Sequence, residues 1–246
     1  MESAVCKGLV IRQTNYSEAD RILTIFTEDF GIVRAIAKGA RKYRSHQGAA
    51  AQMLCYGQFT LYPGKNMFTL RGATPIESFF GISASVEKLA LATYLCDITQ
   101  TFVAEENQES EILRLLLNTL YLLANKDRPL PLIKAVYELR LLALSGFGAL
   151  VTQCVICGTY ENLNHFSLKA GGTVCQHCAA LAEDSVLLSE SALRAMDFAL
   201  DQPTQRSYSF EVPQKVILEV ADLSERFLLS RAERDFFSLG YYHNVT

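Results

Sequence analysis

Four cysteines constrain this chain more tightly than any other feature. Cys154-x2-Cys157 is followed, 17 residues on, by Cys175-x2-Cys178. Each pair sits on a tight knuckle that turns two sulfurs towards one point, and two knuckles complete a tetrahedron around one zinc ion. Gly158 follows the first pair, as knuckle geometry often requires, and Gly171-Gly172 can turn a short hairpin between the pairs. A dithiol redox centre would need only one pair, and no thioredoxin-like βαβ pattern surrounds either. Disulfides are disfavoured because MESAVCKGLVIRQ has neither a long apolar segment nor a small-residue cleavage site, so a soluble intracellular protein is expected. Four thiolates leave zinc no open position for water, so the site is expected to be structural. His165 and His177 lie close enough in sequence to substitute, but four cysteines already satisfy the ion. Cys6, Cys55 and Cys96 stand in apolar contexts and read as buried small hydrophobes.

Charge divides the chain. Residues 1–81 carry ten Lys+Arg and six Asp+Glu, a net of +4; residues 82–246 carry thirteen and twenty, a net of −7, which together give the formal −3. No acidic residue occurs between Asp29 and Glu77, a window that holds Arg34, Lys38, Arg41, Lys42, Arg44, Lys65 and Arg71. Within it, Lys38-Gly-Ala-Arg41-Lys42-Tyr-Arg44 leaves a strand and enters a loop that can lie against a phosphate backbone. Tyr43 is placed to stack on a base. A solvated charged loop is the plainer reading of a short basic run. The acid-free window around it favours nucleic acid.

The hydrophobic period changes near Gly81. Before it, Val5–Arg12, Ile22–Thr27, Ile32–Lys38, Gln58–Tyr62 and Met67–Arg71 read as strands, with Glu28-Asp29-Phe30-Gly31 and Pro63-Gly64-Lys65-Asn66 as turns. Along Ile32–Lys38, Val33, Ala35 and Ala37 face inward, while Ile32, Arg34, Ile36 and Lys38 face out. Short strands of this number and spacing predict a small closed barrel of OB type. After Gly81, helical spacing runs through Val86–Val103 (Ser83 or Ser85 as N-cap), Ile112–Ala124, Pro129 to about Ser145, Ser189–Leu200 and Pro213–Leu229. The expected fold is α+β and multidomain: an N-terminal OB barrel over 1–81, then a helical bundle over 82–246 with a zinc module inserted at 151–182.

Tyr16-Ser-Glu-Ala-Asp20-Arg21-Ile-Leu-Thr-Ile-Phe-Thr27-Glu-Asp-Phe-Gly31, with Lys38-Gly39-Ala40-Arg41, resembles the N-terminal signature of the bacterial recombination mediator RecO family. The likeness continues through Thr69-Leu70, Pro75–Phe80, Tyr137-Glu138-Leu139-Arg140 with Gly146, and the four cysteines. It implies binding of single- and double-stranded DNA and annealing of complementary strands. It also implies work with RecR to load RecA onto DNA coated by single-strand-binding protein, in the bacterial cytoplasm at the nucleoid. The candidate DNA-binding residues are Arg34, Lys38, Arg41, Lys42, Arg44 and Arg71. The family takes the acidic, apolar tail of single-strand-binding protein into a pocket of the helical domain, and Lys134 and Arg140 are the candidate cations for its carboxylate. Tyr43, His46 and a C-terminus without a basic tail depart from the family pattern and imply weaker DNA affinity or more dependence on RecR. No phosphate-loop, H-E-x-x-H or G-x-S-x-G motif is present, and neither His165 nor His177 begins a His-x-Glu pair, so no enzymatic activity is expected. The alternative reading is a zinc-containing interaction adaptor whose barrel does not touch DNA.

Overall fold

The structure, a computed structural model, describes residues 3–42, 47–103 and 109–246. Tyr43, Arg44 and His46 therefore lie outside the described residues.

Five strands, β1 (Ala4–Asn15), β2 (Arg21–Thr27), β3 (Gly31–Ala37), β4 (Tyr56–Tyr62) and β5 (Phe68–Glu77), close into a barrel in the order β1-β2-β3-β5-β4. The long β1 is shared: Ala4–Leu9 pairs with β4 and Gly8–Asn15 with β2. Gly8 belongs to both ladders, where a Cβ would lie 2.7 Å from the Phe26 carbonyl oxygen, so only glycine lets the strand cross there. A register shift between Val10 and Arg12 bends the strand further around the barrel. The barrel closes where β3 runs parallel to β5, pairing Ala35 with Phe68 and Ile36 with Thr69. Val10, Leu23, Ile25, Phe59, Leu61 and Leu70 fill its interior. In β3, Val33, Ala35 and Ala37 are buried and Arg34 is exposed, as alternation requires; Ile32, expected to face out, is buried as well.

Six helices follow: α1 (Val86–Phe102), α2 (Ser110–Asn125), α3 (Leu130–Leu144), α4 (Glu190–Asp201), α5 (Gln214–Ala232) and α6 (Phe237–Val245). Ser85 caps α1, its hydroxyl accepting from the Lys88 N–H at 3.2 Å, while Ser83 donates instead to the Phe80 carbonyl. Ser189 caps α4 in the same way through Ala192.

The chain forms two compact units, 1–125 with 238–246, and 126–237. In the first, α1 packs on α2 and on β1, and Ser238 of α6 donates to Asp97 of α1 at 2.7 Å. The helical segment is thus shared between the two units, because α1, α2 and α6 bury their apolar faces in the barrel's unit. In the second unit, α3 packs on α5 and α4. The antiparallel strands β6 (Leu163–Ser167), β7 (Gly172–Cys175) and β8 (Ser185–Leu187) form a small sheet in the order β7-β6-β8. Phe166 of β6 meets Phe227 of α5 edge-on at 5.3 Å. Arg231 lies 4.9 Å over the Phe227 ring and donates to the carbonyls of Leu168 and Lys169, so α5 holds the β6–β7 turn.

Candidate nucleic-acid interface and metal centre

The basic loop after β3 is braced by the turn between β1 and β2. Ser17 accepts from the Ala19 and Asp20 N–H groups, which folds that turn on itself. The Asp20 carboxylate then accepts from the Gly39 N–H at 2.8 Å, the Arg41 N–H donates to the Ala19 carbonyl at 3.0 Å, and the Arg41 guanidinium donates to the Ser17 carbonyl. Ser17 and Asp20, which the charge pattern does not single out, are thus what holds the cationic loop in place. Their signal in the sequence is the Asx/Ser turn pattern.

Arg34, Lys38, Arg41, Lys42 and Arg71 are all exposed, whereas Arg44 falls outside the described residues. Arg34 is carried by β3 and Arg71 by β5, the two strands that meet at the parallel seam, and Lys38 opens the turn that follows β3. Arg71 also lies 5.6 Å from the centroid of the Tyr62 ring, a cation–π pair on the outer face of β4 and β5. Tyr62 is 40% exposed and was not distinguishable in the sequence from core aromatics such as Phe59, which is fully buried. Tyr56 is occupied elsewhere: its hydroxyl donates to Glu28 at 2.5 Å, and burial, with that hydrogen bond, raises its pKa.

The four cysteine sulfurs all lie within 4.8 Å of one another, with Cys157 and Cys175 3.8 Å apart. Backbone hydrogen bonds make each knuckle. The Gly158 N–H donates to the Cys154 carbonyl and the Cys178 N–H to the Cys175 carbonyl, and Gly158 takes φ +76°, a conformation that favours glycine. Desolvation opposes the Cys154 thiolate, but hydrogen bonds at Cys175, Cys157 and Ile156 outweigh it and bring the thiol down to about 6. Burial and the adjacent sulfurs push Cys178 up to about 12. One thiolate forms readily and its charge holds a neighbour's proton on, a pattern that a bound cation relieves. The donor set and spacing fit one metal ion. Among the described residues no histidine joins the cluster, and His165 instead meets Asn164 at 2.8 Å. Cys6, Cys55 and Cys96 are buried, and burial raises all three thiols, Cys6 to about 11.

Lys134 and Arg140 are engaged inside the second unit. The Lys134 ammonium, 3% exposed, sits 2.9 Å from Glu138 and 2.7 Å from Glu225. The Ser224 hydroxyl donates to the same Glu138 carboxylate at 2.6 Å. Burial works to lower the Lys134 pKa, but the two carboxylates outweigh it and raise it. Arg140 donates to the carbonyls of Ala199, Leu200 and Gln202 and to the Thr204 hydroxyl, closing the C-terminal end of α4. Lys134 is buried on carboxylates, and Arg140 is half-buried on oxygens at the end of α4.

A closed five-stranded barrel, followed by helices and a four-cysteine cluster, defines an OB-type protein with a knuckled helical partner domain. Residues 1–79 match the family model described as recombination protein O N terminal, and residues 84–239 that of its C terminal. The chain belongs to the RecO family. It is 36% identical over 236 residues to the DNA repair protein RecO of Acetivibrio thermocellus, covering 95% of this chain and 94% of that one. To the DNA repair protein RecO of Symbiobacterium thermophilum it is 32% identical over 232 residues, 92% of this chain and 91% of the relative. The corresponding protein of Clostridium novyi is 27% identical over 223 residues, 90% and 86% of the two chains.

Proposed function

We propose that this chain is a non-enzymatic mediator of recombinational DNA repair. Its barrel binds single- and double-stranded DNA and holds complementary strands side by side until base pairing, which supplies the free energy, takes over. With RecR it helps load RecA onto DNA coated by single-strand-binding protein. The observation that carries this reading is the cationic outer surface of the barrel, drawn from a window without a single acid and braced by Ser17 and Asp20. The functional division falls near residue 81, with DNA on the barrel and partners on the helical part. The place of work is the bacterial cytoplasm, at the nucleoid. No described helix is long and apolar enough to cross a membrane.

The metal is one structural zinc. A tetrahedron with Zn–S bonds of about 2.3 Å has sulfur–sulfur edges of about 3.8 Å, which the Cys157–Cys175 separation of 3.8 Å supports. The ion staples a module whose own buried cluster is too small to fold alone. For the tail of single-strand-binding protein the candidate cations are Lys134 and Arg140, and a groove of about 620 Å³ lined by Leu187, Leu188 and Val216 carries a further cation, Lys215, beside the carboxylate of Glu219.

Anisotropy of a labelled single-stranded oligonucleotide, titrated at several salt concentrations, tests the DNA reading. At about −0.7 per neutralised phosphate, the exposed cations give an expected log–log salt slope of roughly −2 to −4. Charge reversal at Arg41 and Lys42 should collapse it. Absence of binding at low salt by folded, metal-loaded protein would refute the reading in favour of the adaptor.

A further inference from the structure

One pocket on the barrel is not accounted for by phosphate neutralisation. It has a volume of about 360 Å³ and lies between the β2–β3 turn and the β4–β5 turn, beside the parallel seam of β3 and β5. Phe30, Met67 and Phe68 supply its apolar walls; Asp29, Arg34 and Asn66 supply its polar groups.

The lining selects the chemistry of an occupant. A guanidinium beside a carboxylate gives little net charge, so the site does not attract a phosphate as the open basic loop does. An amide that both donates and accepts, a donor-only guanidinium and an acceptor-only carboxylate together match a neutral ring with mixed hydrogen-bonding edges. Two phenyl rings and a thioether offer that ring apolar contact on its faces. The volume lies at the small end of the range for ligand pockets. Phe30 is 37% exposed at the tip of a turn, an aromatic that the barrel core does not need there.

Position ties the pocket to the strand. Arg34 lines it and is also the exposed cation on the outer face of β3. A strand whose phosphates meet Arg34 therefore meets the pocket mouth.

We propose that this pocket holds one unstacked nucleobase of the DNA strand bound on the basic face. The inference rests on the DNA-binding reading above. It adds a base-holding subsite that anchors the strand while the edges of neighbouring bases stay available for pairing.

The test compares labelled oligothymidylate with an abasic oligomer of the same length, which keeps every phosphate and removes every base. Base–aromatic stacking makes the expected preference for oligothymidylate about fivefold or more, with salt slopes alike for both oligomers. Phe30→Ala should shrink that preference towards unity and leave the salt slope unchanged. Asn66→Leu, in an exposed turn away from the barrel core, should do the same and serves if Phe30→Ala perturbs folding. Tyr62→Ala should leave most of the preference in place. Equal affinity of the wild-type protein for both oligomers would overturn the pocket and spare the DNA reading. So would a preference that survives both pocket substitutions. Failure to bind either oligomer at low salt would overturn both.

Discussion

Replacing Lys134 by methionine removes the ammonium that lies between the carboxylates of Glu138 and Glu225. Glu138 is fully buried, so its charge would be left in the α3–α5 interface without the ammonium, the Ser224 hydroxyl still donating to it. Breaking a buried pair on one side costs about 3–5 kcal/mol. The lower end applies here, because Ser224 remains and Glu225, 21% exposed, can turn to water. At about 2–4 °C per kcal/mol for a chain of this size, a loss of about 3 kcal/mol lowers the melting temperature by roughly 6–12 °C. Lys134→Met with Glu138→Leu should recover most of that loss, since an apolar pair of similar size needs no counter-charge. The pH dependence separates charge from packing. In the parent protein the raised Lys134 pKa has a contribution that is complete below the ordinary lysine value and lost as pH rises beyond it. Differential scanning calorimetry from about pH 7 to about pH 11, across the ordinary lysine value, reads that loss. A melting temperature within about 1 °C of the parent at pH 7 would refute a structural ion cluster and leave Lys134 a candidate for peptide binding.

Arg140→Ala strips the carbonyls at the end of α4 of their donor and should destabilise the protein by about 1.5–3 kcal/mol in chemical denaturation; a stable variant that loses only affinity for the tail peptide of single-strand-binding protein would contradict this role. Metal removal by chelation, or Cys175→Ser, should speed amide exchange across β6 and β7 while leaving the barrel's protection intact. Unchanged exchange after verified loss of the ion would show that the knuckle folds without it.

Much of the architecture was legible because it rests on local periodicity. Val33, Ala35 and Ala37 announce an inward face by alternation, and Val216, Ile217, Val220, Leu223, Phe227 and Leu228 announce a helix stripe; all of them are buried. α6 was not legible. Phe237–Val245 contains a glycine and two adjacent tyrosines and has no sustained stripe, and its helix depends on partners such as Asp97, 141 residues away. The cysteine spacing likewise carried its own meaning, because ligand geometry within each knuckle is local.

Spacing along the chain was enough for the barrel, the helices α1 to α5, the acid-free basic window and the four-cysteine cluster. Each is encoded by spacing over a few residues. Only the tertiary structure decided what the individual cations do. Lys134 and Arg140 look like any exposed helical lysine and arginine until Glu225 and the end of α4 are brought against them from 91 and about 60 residues away. Conversely, Arg34 comes to share a pocket with Asn66 and Met67 only because β3 closes the barrel against β5. Whether a charge is satisfied or available depends on contacts across the fold, and those are settled by packing, not by the pattern of residues along the chain.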